Sequence, residues 1–317
     1  MMKQLENILK AAKLGEQTEA ALCSFFKSYK NVPHPPKHLD KLFQTYIQLV
    51  QKELESPTEF GHFHAKERSP FDFYAFSLDM FRPLLDFASS KVLGEENLQA
   101  IDAAIKRNEN VILLANHQAE IDPQIICLLL SEKYPHLALS MAFVAGHRVT
   151  SDPFAIPFSR GTDLFPIYSK KYIEFPPEKK AEKQHHNAKT LTAIEELLKQ
   201  GGLCVYVAPS GGRDRFDEKK KVSIAPFDPN SVEMFYLLAK RSPIKTHIHL
   251  LALSTIHLLP PPSTTNIELG EERIASYGPA GLFFGPELPL EDITKEERKA
   301  RSDALTQEIE RMYKVLW

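Results

Sequence analysis

The chain has 317 residues, 39 Lys plus Arg against 41 Asp plus Glu, a net charge of -2, and 43% hydrophobic residues. That balance excludes a global electrostatic footprint for nucleic acid, so no nucleic-acid partner is expected and any basic site must be local. A chain near 300 residues hides roughly three quarters of its unfolded surface, so neither a metal nor a disulfide is needed to hold it together.

The three cysteines, Cys23, Cys127 and Cys204, are isolated and odd in number. They read as small apolar residues in a protein of a reducing, cytosol-like compartment. The N-terminal stretch "MMKQLENILKAAKLGEQTEA" has charges in every apolar run, so it lacks the core of a signal peptide. Glu6, Glu16 and Glu19 argue against a retained transit peptide. No segment approaches the roughly 20 apolar residues of a membrane span. The expectation is a soluble, cytoplasmic protein whose membrane contact, if any, is peripheral.

In chain order, residues 2 to about 56 have helical spacing. Leu5, Ile8, Leu9 and Ala12 recur at i, i+3, i+4 and i+7, and Ala21, Leu22, Phe25, Phe26 and Tyr29 follow after Gly15. "NVPHPPKH" breaks the pattern. "LDKLFQTYIQLVQKELE" resumes it. Short helices of this kind are marginal alone, which predicts a small bundle domain over residues 1–58. From 59 to 317 the texture changes. "VILLAN" (111–116), "LALSMAFVAG" (137–146), "LFPIYS" (164–169), "LCVYVAPS" (203–210) and "THIHLLALST" (246–255) read as strands. "DPQIICLLLSEKY", "EKQHHNAKTLTAIEELLKQGG" and "NSVEMFYLLAKRS" read as helices between them, the second stopped by Gly201-Gly202. The alternation predicts an α/β fold, with a mostly parallel central sheet flanked by helices. Function should then gather at the carboxyl ends of the strands.

Three strand ends carry chemistry. The first is "VILLANHQAEIDPQ" (111–124). His117 sits just past a buried strand, and Asp122-Pro123 has the form of a helix start, with Asp as N-cap. Asp122 is therefore either a cap or the partner of His117. In the second case a carboxylate fixes the imidazole tautomer, and the other ring nitrogen serves as a base for a hydroxyl attacking a carbonyl. The second is "VAPSGGRDR" (207–215), where a glycine turn lets backbone N–H groups approach an anion and Arg213 and Arg215 suit bidentate contact with phosphate. A complete GxxxxGK[ST] phosphate loop is absent. The third is "YSKKY" (168–172), whose Lys170 and Lys171 could serve the same anion. His147 and Arg148 of "GHRVTSDP" are weaker candidates. His185 and His186 are adjacent on a helix, point apart, and make a poor metal pair. Without HExxH or paired cysteines, no metal is expected.

"NHQAEIDP" has the H-x4-D pattern of glycerolipid acyltransferases. With "GHRVTSDP", "YSKK" and "APSGGRDR" in order, residues 60–290 resemble the soluble, plastid-type glycerol-3-phosphate acyltransferases, and the helical start resembles that family's N-terminal domain. The resemblance implies that His117 is the catalytic base, Asp122 its partner, and Lys171, Arg213 and Arg215 the phosphate ligands. Tyr172 stands where the family usually has a histidine. It implies transfer of an acyl group from acyl-carrier protein, or from coenzyme A, to the sn-1 hydroxyl of glycerol 3-phosphate, with no cofactor beyond that donor and a stroma-like compartment if the source has plastids. "RFDEKKK" (215–221) and "KAEK" (180–183) are candidate patches for an acidic carrier protein, and backbone N–H groups near Gly211-Gly212 are candidate oxyanion donors. Two alternatives remain open at this point: an enzyme that acylates lysophosphatidate, and a non-catalytic protein that binds a phosphorylated metabolite or a carrier.

Overall fold

The computed structural model describes residues 8–9, 14–29, 32–33, 35–261, 273–291, 294 and 296–317. Leu5 and Ala12, part of the expected helical start, lie outside the described residues. Helix α1 (Glu16–Ser28) buries Leu22, Phe25 and Phe26, one stripe at i, i+3 and i+4. It packs on α2 (Leu39–Glu55), where the Phe26 and Phe43 rings stack with centroids 4.3 Å apart. Tyr46 of α2 ties this helix pair to the α/β region: its ring stacks on Phe158 at 4.9 Å and its hydroxyl donates to Phe154 O at 2.7 Å. Helix α3 (Phe73–Phe81) starts at a true cap, Asp72 accepting from Ala75 N at 2.9 Å.

The centre is a seven-stranded sheet in the order β1-β9-β8-β2-β5-β3-β4. The strands are β1 (Lys91–Leu93), β2 (Asn110–Ala115), β3 (Met141–Gly146), β4 (Asp163–Ile167), β5 (Cys204–Val207), β8 (Thr246–Ser254) and β9 (Gly281–Glu287). The run from β8 through β4 is parallel, whereas β9 runs antiparallel to β8, with β1 parallel to β9. The sheet is mostly parallel, as expected. A separate antiparallel hairpin joins β6 (Arg215–Phe216) and β7 (Val222–Ser223).

Every residue of β2 and β8 is buried, which matches their continuous apolar runs and a sheet covered on both faces. Successive residues of β2 face opposite cores. Val111, Leu113 and Ala115 join one cluster, and Ile112 and Leu114 the other. The first core holds α1, α2, α3 and α4 (Glu95–Lys106), with α5 (Asp122–Leu130), α6 (Pro135–Ser140) and α7 (Ile156–Ser159). The second holds α9 (Lys180–Leu198), α10 (Pro229–Arg241) and α11 (Glu297–Leu316). The one-turn helix α8 (Lys170–Ile173) follows β4.

The run "LALSMAFVAG" is not one strand. Pro135 starts α6 and the strand begins only at Met141. Gly201 and Gly202 do punctuate the end of α9. They take φ of 79° and 72°, and a Cβ on Gly201 would meet Asn108 O at 2.2 Å.

Candidate active site

Because five neighbouring strands run parallel, the loops after β2, β3, β4, β5 and β8 open on one edge of the sheet. A cleft of about 310 Å³ lies there, lined by His117, His147, Arg148, Tyr172, Arg213 and Arg215 among others. The sequence-level candidates from four separate segments thus meet in one place.

His117 Nδ1 lies 2.8 Å from Asp122 Oδ2. His117 is 31% exposed to the cleft, and Asp122 is fully buried. The structure decides between the two roles left open for this acid. The cap position is Ile121, and Asp122 is already helical. Its carboxylate points back into the loop, accepting from Gln118 N at 2.8 Å and Ala119 N at 3.1 Å. Thr255, just past β8, adds its hydroxyl to Oδ1 at 2.5 Å. Four donors therefore converge on two oxygens, a load that an acceptor-only carboxylate can carry. An ionised Asp122 can only accept, so Nδ1 carries the shared proton, and in the neutral ring Nε2 holds the lone pair.

The loop holding His117 is built from buried amides. Asn116 bridges Leu253, giving Nδ2–H to its carbonyl at 3.0 Å and taking its N–H at Oδ1 at 2.7 Å. Gln118 Oε1 takes Thr255 N at 2.7 Å. Both amides also donate to Asp214 Oδ2, at 2.8 Å and 3.1 Å. Asp214 lies between the two arginines, is 1% exposed, and gives its own N–H to His117 O at 2.7 Å. Burial pushes its carboxyl upward, and the hydrogen bonds from Asn116, Ala225 N and Gln118 offset part of that. The histidine loop and the arginine loop are thus tied together by one residue. It was missed in the sequence, where an Asp between two Arg reads as a plain charged run. The signal that could have found it is the lone acid inside an otherwise basic glycine turn.

The arginine loop turns at Gly211, whose φ is 65°. Its N–H is engaged by Ala208 O at 3.1 Å, which removes it from the candidate oxyanion donors. At the neighbouring strand end, Arg148 Nη1 lies 3.4 Å from the Tyr172 hydroxyl. The His147 ring stacks on Tyr168 at 4.5 Å and meets Tyr172 edge-on at 4.8 Å. Burial, then the charges of Lys183 and Arg148, push the His147 pKa down to about 4. The weaker candidates His147 and Arg148 are therefore cleft residues, one neutral and one cationic. Lys170 does not line the cleft; it pairs with Asp228. The side chain of Lys171 lies outside the described residues.

Arg273 was not anticipated either. It lines the cleft, 11% exposed, and donates to Glu120 at 3.0 Å and Asp152 at 2.9 Å. Its partners are more than a hundred positions away in sequence, beyond the reach of any local pattern. Of the expected carrier patches, Lys219, Lys220 and Lys221 are exposed on the β6–β7 hairpin, but Lys183 turns inward and donates to Tyr172 O at 2.6 Å. His186 Nε2 lies 3.0 Å from Pro166 O. No group of three or more potential metal ligands occurs among the described residues. None of the described helices is long and apolar enough to cross a membrane.

The sheet edge, the H-x4-D pair and the cationic cleft together define an α/β acyltransferase, and residues 89–253 match the family model described as Acyltransferase. A chloroplastic glycerol-3-phosphate acyltransferase of Cucurbita moschata is 35% identical over 319 residues, covering 96% of this chain and 69% of that one. A second from the same plant is 34% identical, covering 100% and 74%. The chain belongs to the glycerol-3-phosphate acyltransferase family. A solved 1-acyl-sn-glycerophosphate (LPA) acyltransferase from Thermotoga maritima superposes with a TM-score of 0.42 at 19% identity, over 76% of this chain and 78% of that one.

Proposed function

We propose that the protein moves a fatty acyl group from acyl-carrier protein, or from acyl-coenzyme A, to the sn-1 hydroxyl of glycerol 3-phosphate. The product is lysophosphatidate, and the step is the first of glycerophospholipid synthesis. The observation that carries this is the His117–Asp122 pair, 2.8 Å apart, in a cleft lined by Arg148, Arg213 and Arg215 and also by Ile121, Phe143 and Phe158. Cations suit the phosphate. The apolar walls suit an acyl chain.

His117 Nε2 takes the hydroxyl proton as that oxygen attacks the thioester carbonyl carbon. A new C–O bond forms, the C–S bond breaks, and the proton passes from His117 to the leaving thiolate. Atoms and charge balance without a cofactor or metal, the thioester donor being a co-substrate. Both substrates meet in one ternary complex, so no acyl-enzyme is needed. Arg213 and Arg215 hold the phosphate, and Lys171, which follows β4 in sequence, is the third cation assigned to it. Tyr172 adds a hydroxyl there but no charge. The exposed Lys219–Lys221 hairpin is the face offered to an acidic carrier protein. The enzyme works from the aqueous phase of a cytoplasmic or stromal compartment, with peripheral membrane contact at most.

The test is turnover of the purified protein with acyl-carrier-protein and coenzyme A thioesters against two acceptors. The expected result is acylation of glycerol 3-phosphate at the sn-1 oxygen. Acylation of lysophosphatidate instead, or tight glycerol 3-phosphate binding without turnover, would establish one of the two alternatives.

A further inference from the structure

The cleft has a polar lobe and an apolar lobe. Beneath the strand ends it follows β3 inward from Gly146 to Phe143, about 10 Å at the usual strand rise. It ends at a wall containing Gln124 and Thr162. On the other side of the wall lies a second cavity, of about 10 Å³, bounded by Cys127, Ala138 and Met141. Pro123, Gln124, Phe143 and Thr162 line both spaces. That second cavity is about the size a single water requires.

The wall is a weakly joined polar pair. Gln124 and Thr162 are 5% and 7% exposed, with Phe143, Phe158 and Leu164 lining the cleft on one side and Lys66, Ser77 and Asp163 among the residues lining the second cavity on the other. Their mutual hydrogen bond, Gln124 Nε2 to Thr162 Oγ1, is long at 3.4 Å. The Thr162 hydroxyl already has a partner, donating to Phe158 O at 3.2 Å. A buried amide costs free energy unless it is well hydrogen-bonded, and this one is held weakly.

We propose that the Gln124–Thr162 pair is the end-stop of the acyl lobe and sets the acyl chain length that the enzyme accepts. Gln124 stands two residues after Asp122 on α5, so the stop and the catalytic acid share one rigid element. A methyl end that reaches the pair meets a filled volume. A shorter chain leaves apolar wall unfilled. The inference rests on the acyltransferase function proposed above.

The experiment measures kcat/KM for a series of acyl-carrier-protein thioesters, from twelve to twenty carbons, with the parent protein, Gln124→Ala, Gln124→Met and Thr162→Ala. Gln124→Ala joins the two cavities. Each further methylene that gains an apolar place shifts the ratio about fourfold, so a donor two carbons longer should gain roughly tenfold over the parent's best donor. Gln124→Met keeps the volume and should keep the parent ratio. Thr162→Ala opens the wall from the side of β4, and should shift the ratio the same way should Gln124→Ala not fold. Parent ratios in both alanine variants, or equal losses on all donors, would overturn the end-stop. So would Gln124→Met shifting the ratio as far as Gln124→Ala. Failure of the acyltransferase function would show in the parent protein, independently of these ratios.

Discussion

Asp122 looks like a helix cap in sequence and is a loop clamp in the structure. Its oxygens take His117 Nδ1, two loop N–H groups and the Thr255 hydroxyl, and none of the α5 amides that a cap would serve. Asp122→Asn is nearly isosteric but must present an NH₂ group to some of those donors. Losing one such buried acceptor costs about 1–3 kcal/mol. The larger effect falls on chemistry, because the protonated Nδ1 loses its acceptor and the tautomer is no longer fixed. We expect kcat to fall by at least about a hundredfold, in the range of a general-base contribution, while the folded protein persists. Thermal melts beside turnover per folded molecule check this. An early melt with unchanged turnover would make the clamp purely structural.

The proposed phosphate site is assembled from several elements. Arg213 and Arg215 follow β5, and Tyr172 follows β4. Arg148 follows β3, the strand between them in the sheet. A charge-assisted contact contributes about 1.5–3 kcal/mol. Arg213→Ala and Arg215→Ala should therefore each raise the KM for glycerol 3-phosphate by about tenfold to a hundredfold. Lys171→Ala should behave the same way. The donor KM should change little. A rise for the donor alone would assign these residues to the acyl carrier. At this scale the sequence was legible where an element has its own period or punctuation. β2 and β8 are unbroken apolar runs, α9 ends before Gly201-Gly202, and "APSGGRDR" turns where its glycines permit. It was not legible where identity depends on a distant partner. β1 has only three residues and exists by pairing with β9, which "GLFFGPE" does not announce. Asp214, Thr255 and Arg273 are ordinary polar residues until the fold brings Asn116, Asp122 and Glu120 beside them.

For the whole molecule, the histidines set the response to pH. Burial pushes His64, His147, His249 and His257 below the ordinary histidine pKa, His147 to about 4. For each, the unfolded chain binds a proton more readily than the folded one. Their contribution is fully present above about pH 6.5 and is lost as the pH falls through that value towards the folded pKa. Asp214 has the opposite sign, since its raised carboxyl favours the folded state only at low pH, near the ordinary carboxylate range. The Tm should therefore drop steadily from pH 7 to pH 5, and His147→Gln should make the drop shallower. A Tm that is flat over that interval would show that these rings stay solvated.

In the proposed mechanism His117 supplies the base and the arginine lobe supplies the grip. One pair of measurements on His117→Ala tests it most directly: steady-state turnover with acyl-carrier-protein thioester, and calorimetric affinity for glycerol 3-phosphate. The expected outcome is a rate loss of about 10²–10⁴, the range of general acid–base catalysis, with an affinity within about threefold of the parent, since the phosphate contacts are untouched. Turnover at the parent rate would contradict the assignment of the base, and loss of glycerol 3-phosphate affinity with the rate preserved at saturation would move His117 from chemistry to binding.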